Sequence, residues 1–182
     1  METCVKKLQR EEEIAWFVNL LSRENVRSYL EIGSKFGGSL ERVAMALRAG
    51  SRIVSVDMPG GTGASRPHLE ACVERLKGHG YDAHLILGDS TAPEIIAQAA
   101  ALGPFDAVFI DANHLLPYVT KDWENYGPLG RIVAFHDIAY VPKPGNPKEI
   151  EVPQFWNSIK GGYRFEECKL DGPHNGIGVL WR

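Results

Sequence analysis

The run Phe105-Asp106-Ala107-Val108-Phe109-Ile110-Asp111 constrains the fold of this chain more than any other stretch. Its apolar residues form a nearly continuous block instead of alternating with polar ones, as expected of a central parallel strand buried on both faces, and an acid ends it. Four more apolar runs resemble it: Tyr29 to Ile32, Arg52 to Val56, Ala83 to Leu87 and Arg131 to Phe135. Stretches with helical spacing lie between them: Leu40, Val43, Ala44 and Leu47; then Leu69, Val73 and Leu76; then helices starting near Pro93 and at Pro117. Strand and helix in alternation predict an α/β protein with a largely parallel sheet. Strands four and five are expected to be neighbours, with ends about 5 Å apart.

The turn after the first strand, Gly33-Ser34-Lys35-Phe36-Gly37-Gly38, is the first functional signal. Glycines there let a backbone approach a ligand closely, and the following helix offers unpaired N–H groups. By themselves they fit a tight strand-to-helix connection equally well. The second signal comes 24 positions after Gly33, where the second strand ends in Asp57, about where an acid meets ribose hydroxyls in a doubly wound fold. A dinucleotide fingerprint needs a glycine at position 35, which is Lys35 here, and no Tyr-x-x-x-Lys pair is present, so an NAD(P)-dependent oxidoreductase ranks second. A non-catalytic cofactor-binding protein is the third reading, because fold alone does not establish an activity.

The motif Glu31-x-Gly33-x-x-x-Gly37 resembles the first motif of class I S-adenosylmethionine-dependent methyltransferases. The resemblance implies that Glu31, Gly33, Ser34 and Gly37 lie against the methionine part of that cofactor and that Asp57, with Met58 beside it, holds the ribose. Further on, Asp89 fits either a cap for the helix near Pro93 or, by the resemblance, the acid at the adenine amino group, with Ser90 beside it.

The segments Phe105 to His114 and Gly127 to Asp137 resemble the small-molecule O-methyltransferase branch that includes macrolide-sugar methyltransferases and the cephalosporin-hydroxylase-like group. Members with that layout place magnesium on the acid ending strand four and an acidic pair ending strand five, and use a histidine three residues after the first acid as base. Asp111, Asp137 and His114 match, and Asp111 also counts among the cofactor-facing residues. His136 replaces the first acid of the pair. The candidate cation ligands are therefore Asp111, His136 and Asp137, with magnesium, calcium, manganese or a softer metal all compatible. A hydrogen-bonded polar cluster without metal is the alternative. The implied architecture is a Rossmann-like, doubly wound, seven-stranded sheet of order 3-2-1-4-5-7-6 with the last strand antiparallel, its final strands near Arg164 to Cys168 and Gly176 to Trp181.

Residues 10–24 form an N-terminal helix with Ile14, Phe17, Val18 and Leu21 on one side and acids in its first turn, where they complement the helix dipole. Packing against the sheet accounts for it, and no chemistry is assigned to it. Two loops stand at the carboxyl ends of strands: Met58 to Ser65, which either orders over the cofactor or merely connects, and the proline-rich 138–153, expected to face substrate.

At 182 residues the chain is expected to form one methyltransferase domain over 1–182, with the resemblance covering all but the first helix region, 1–26. A net charge of −3 gives no general attraction to nucleic acid. Cys4, Cys72 and Cys168 suggest reduced thiols, and the polar start METCVKKLQREEE and absence of a long apolar run suggest no membrane segment. A cytoplasmic enzyme acting on a small-molecule hydroxyl is the expectation.

Overall fold

The computed structural model describes residues 10–58, 66–141, 150–170 and 175–182. The glycine-rich loop after Met58, the prolines of 142–149 and the turn at 171–174 lie outside the described residues. The strands are β1 (Ser28–Ile32), β2 (Arg52–Asp57), β3 (Asp82–Leu87), β4 (Phe105–Ile110), β5 (Gly130–His136), β6 (Arg164–Cys168) and β7 (Ile177–Trp181). They make one sheet of order β3-β2-β1-β4-β5-β7-β6, with β7 antiparallel to both its neighbours, the architecture implied by the sequence resemblance.

Among the described residues six α-helices cover the sheet: α1 (Glu11–Arg23), α2 (Gly38–Ala44), α3 (Arg66–Gly78), α4 (Pro93–Ala101), α5 (Leu116–Tyr126) and α6 (Val152–Ile159). Strand parity sorts the core into two layers. Tyr29, Ile53, Ala107, Phe109, Ile132, Ala134 and Val179 point to the side where α1, α2 and α3 contribute Ile14, Phe17, Leu21, Leu40, Val43 and Leu76. The alternate residues, Leu30, Ile32, Val54, Val108, Ile110, Val133 and Phe135, meet Ile95, Val119, Tyr126, Phe155 and Trp156 of α4, α5 and α6. β4 is covered on both faces, which is why its sequence does not alternate.

One boundary differs from the periodicity. The pattern around α2 extends to Leu47, but the helix ends at Ala44, and the chain tightens so that Ala46 and Leu47 donate to Val43 and Ala44. Such three-residue bonds satisfy carbonyls that a helix end leaves over, and Leu47 stays buried without being helical. On α6, Phe155 and Trp156 dock against Phe135 at ring separations of 5.4 and 5.8 Å. No helix among the described residues is long and apolar enough to cross a membrane.

Candidate active site at the carboxyl ends of the strands

The ends of β1, β2 and β4 are stitched together one residue beyond the ladder. Gly33 donates to the Val56 carbonyl and Asp111 to the Ile32 carbonyl, both at 2.8 Å. Gly33 has φ +91°, and a Cβ there would stand 2.4 Å from the Asp111 carbonyl oxygen and 2.5 Å from Ala112 Cα. Only glycine brings the turn this close to the chain leaving β4. The turn closes with Gly37 donating to Ser34 O at 2.7 Å.

Asp57, buried at the end of β2, accepts the Lys35 backbone N–H at 2.6 Å, which ties the acid to the turn. Burial raises its pKa, and N–H groups of Lys35, Met58 and Ser34 oppose that rise. Met58 follows and is exposed. The side chains of Glu31 and Ser34 point inward. Glu31 is fully buried and accepts from Tyr29 Oη and Ser39 Oγ at 2.6 Å each, while Ser34 Oγ accepts from Ser55 Oγ at 2.7 Å. Burial lifts the Glu31 carboxyl to about 7 despite those bonds. Both residues shape the turn from beneath it.

Asp89 is exposed and accepts from Thr91 N and Oγ1 at 2.8 Å, which organises the turn ahead of α4. Ala92, not Asp89, occupies the N-cap. Ser90 Oγ donates to Asp122 Oδ1 of α5 at 2.7 Å, and the Ser90 carbonyl accepts from Tyr126 Oη at 2.7 Å.

The polar groups ending β4 and β5 form one cluster. His136 Nδ1 lies 3.3 Å from Asp111 Oδ1 and 3.3 Å from Asp137 Oδ1, and His114 Nε2 lies 3.5 Å from Asp137 Oδ2. His136 is 5% and Asp137 2% exposed, whereas the His114 side chain is 34% exposed at the mouth. Asp137 has φ +64°, an uncommon conformation for a residue with a side chain, and it turns the carboxylate back toward His136 and His114. Burial works against a charged His136, but Asp111 above all, with Glu13 and Asp137, outweighs it and holds the imidazole well above its usual pKa.

The methyltransferase-domain family matches the sequence over residues 30–138, which takes in the turn, Asp57 and this cluster. The chain belongs to that family. Its fold is similar to three solved structures. One is the O-methyltransferase TomG from Streptomyces achromogenes, involved in tomaymycin synthesis and in complex with SAM, with 20% identity, a TM-score of 0.72 and coverage of 96% of this chain and 81% of that one. A second is a putative caffeoyl-CoA O-methyltransferase from Staphylococcus aureus, with 18% identity, TM-score 0.68 and coverage of 98% and 86%. The third, from Bacillus cereus, is an O-methyltransferase in complex with SAH, with 18% identity, TM-score 0.68 and coverage of 95% and 82%. No curated protein matches the sequence.

Two residues of this methyltransferase-family chain escape a reading of the sequence. Glu13 of α1 is 1% exposed; its Oε2 lies 3.7 Å from His136 Nε2 and its Oε1 accepts the Gly176 N–H at 3.0 Å. Contact with His136 and Gly176 lowers its pKa against the opposing effect of burial. Asp122 is fully buried beneath Ser90, and burial lifts its carboxyl to about 6. Both sit where helical periodicity points inward: Glu13 shares a face with Phe17 and Leu20, and Asp122 with Val119 and Tyr126.

The cluster suits a cation. Asp111, His136 and Asp137 each offer one ligand atom, all within 4.8 Å of one another, and the buried Asp137 Oδ1 has no hydrogen-bond partner among the described residues. Two carboxylate oxygens and one imidazole nitrogen form a donor set that manganese, iron(II) or zinc accepts more readily than an all-oxygen site would. Asp57 likewise suits a vicinal diol, since a carboxylate held in place by backbone N–H groups retains lone pairs for two hydroxyls. A separate groove lined by Lys77, Tyr81, His84, Leu85, Gln98 and Leu102 contains none of these groups.

Proposed function

We propose that the protein transfers the methyl group of S-adenosylmethionine to a hydroxyl of a small molecule, assisted by a divalent cation. The observation that carries this reading is the convergence of the Gly33 turn, Asp57 and the Asp111, His114, His136, Asp137 cluster at one end of the sheet, where open α/β folds bind ligands. The O-methyltransferase neighbours in complex with SAM or SAH support it further.

When bound, S-adenosylmethionine supplies a methyl already activated on sulfonium, so the protein chiefly aligns the acceptor for in-line displacement. The turn from Gly33 to Gly37 lies against the amino-acid part of the cofactor, Asp57 accepts the ribose hydroxyls, and Asp89 and Ser90 stand by the adenine. Asp111, His136 and Asp137 hold the cation, which contributes Lewis acidity toward the acceptor hydroxyl. His114 takes the proton. Its Nε2 faces Asp137 Oδ2, which leaves the Nδ1 lone pair as acceptor and places a carboxylate beside the imidazolium that forms. The 34% exposure of His114 admits an acceptor from solvent.

The segment before α6 supports the mouth of the site. Glu151 donates its N–H to the His114 carbonyl at 2.8 Å and accepts the Leu116 N–H at 2.7 Å, so the His114 loop and the end of the 138–153 loop are joined.

Titration calorimetry with S-adenosylhomocysteine tests the cofactor assignment: wild type binds, and Asp57→Ala binds at least tenfold more weakly. No heat with wild type sinks it. Transfer of labelled methyl to a panel of sugars, phenols and polyketides, run with and without chelator and then with added Mn2+, tests the rest. Loss in chelator with recovery on Mn2+ is expected, and unchanged turnover in chelator removes the cation.

A further inference from the structure

Glu13 lies on the helix outside the family match, yet it reaches the centre of the site. The surrounding packing leaves it little freedom. One turn further along α1, Phe17 is fully buried and its ring lies 5.0 Å from that of Phe109, two residues before Asp111. Phe109 in turn meets the His136 ring edge-on at 6.4 Å. The carboxylate is anchored by the Gly176 N–H through one oxygen, so the other remains directed at His136 Nε2.

Gly176 is itself pinned. Its φ is +72°, and a Cβ there would come within 3.0 Å of Ala139 Cβ and 3.1 Å of the Cys168 carbonyl oxygen. Asn175 accepts the Ala139 N–H at 2.7 Å, so the start of β7 braces the chain just after Asp137. Glu13 therefore joins α1, the His136 end of β5 and the entry to β7 at one point.

We infer that Glu13 is a positioning residue for the cation site: from behind the His136 ring it keeps Nε2 as the proton-bearing nitrogen and presents Nδ1 to the space shared with Asp111 and Asp137. This deepens the proposed function and rests on the reading of Asp111, His136 and Asp137 as cation ligands. A metal-bound histidine generally directs its second nitrogen to a carboxylate or carbonyl, which fixes ring orientation and raises ligand basicity. Nδ1 lies between two carboxylate oxygens, and Nε2, which makes no hydrogen bond among the described residues, faces the Glu13 carboxylate at 3.7 Å. The ring thus has one nitrogen for a cation and one for Glu13.

The test uses the full chain and Mn2+ alone, with affinities from calorimetry and S-adenosylhomocysteine binding measured on the same samples. Wild type is expected to bind Mn2+, and Glu13→Ala to bind it roughly ten- to a hundredfold more weakly. S-adenosylhomocysteine affinity is expected to stay within about twofold, because Glu13 touches none of the turn residues. Glu13→Gln keeps an acceptor for the Gly176 N–H and carries the test if the alanine variant fails to fold; a severalfold loss of Mn2+ affinity is expected. A shifted Co2+ absorption spectrum in either variant would report the reoriented imidazole directly. Equal Mn2+ affinity in wild type and both variants overturns the role of Glu13 while leaving the cation site intact. Parallel weakening of Mn2+ and S-adenosylhomocysteine overturns it as well, since that marks general loosening. A wild type that binds no Mn2+ overturns the cation reading and this inference together.

Discussion

Gly33 and Asp111 directly follow neighbouring strands, and the point where a Gly33 Cβ would stand is 2.4 Å from the Asp111 carbonyl oxygen. The obstacle is backbone, held by the bond from Asp111 N to Ile32 O, so no side-chain rotation relieves it. Gly33→Ala also forces an L residue to φ +91°. Strain and overlap together are expected to cost about 3 kcal/mol or more. Urea denaturation should show the loss as a lower midpoint, and S-adenosylhomocysteine affinity should fall with it because the turn must part from the end of β4. A variant with wild-type midpoint and affinity contradicts the described turn.

Glu31 gives stability a pH dependence of known sign. Burial raises its folded pKa to about 7 from the ordinary 4.5 of a glutamate, so the native state favours the protonated form. A raised carboxyl contributes stability that is fully present below about pH 4.5 and disappears as pH rises through about 7. The span corresponds to about 3 kcal/mol at most. Glu167, held near 2 by Lys160, Lys169 and Trp156 against burial, changes stability in the opposite sense at lower pH, so the total curve mixes signs. The informative quantity is the difference between wild type and Glu31→Gln. That difference should shift in favour of the glutamine variant between pH 4.5 and 8, and a flat difference excludes the buried-acid account.

Ser90 is held through two neighbours on α5. Tyr126→Phe removes the hydroxyl that donates to the Ser90 carbonyl and is expected to cost about 1 kcal/mol, as one lost hydrogen bond in a part-buried site does. Asp122→Ala should cost more, because it opens space below a fully packed helix and releases the Ser90 hydroxyl. If Ser90 stands by the adenine, S-adenosylhomocysteine affinity falls in both variants, more in Asp122→Ala. Calorimetry on the pair separates this from a purely structural effect, in which only the denaturation midpoint moves.

The strands and the polar residues that close them are readable in the sequence because local rules and tertiary context agree there. Apart from Asp106, β4 is apolar since both faces are covered, and an acid just past its end has no packing reason to be present. Side-chain direction was harder to read. Glu31 belongs to a motif associated with a cofactor, but strand parity puts it with Tyr29 on the side facing α1 and α2, where it meets Ser39. Glu13 was hidden by a sufficient explanation: three acids in the first turn of a helix suit its dipole, and that accounts for Glu11 and Glu12. The periodicity that buries Phe17 and Leu20 also buries Glu13, and a buried acid calls for a partner. Its partner, His136, is 123 positions away, a distance that no local pattern reports.

His114 and Asp137 differ in what their loss should do. The His114 ring stands at the mouth, 3.5 Å from an Asp137 oxygen, whereas Asp137 also faces His136 in the interior. His114→Ala removes the proposed proton acceptor without disturbing the buried cluster, so kcat is expected to fall by roughly 10²- to 10⁴-fold while S-adenosylhomocysteine and Mn2+ affinities hold. Asp137→Asn leaves His114 a neutral neighbour and removes a charge beside His136, so both Mn2+ affinity and kcat should fall. Raising the pH separates the two defects. A missing base is partly bypassed as the acceptor hydroxyl ionises unaided, so His114→Ala should recover activity toward alkaline pH with a phenolic acceptor. The Asp137 variant has lost the charge of a proposed cation ligand and should not recover. Equal pH profiles for the two variants would mean that His114 acts through the cluster and takes no proton itself.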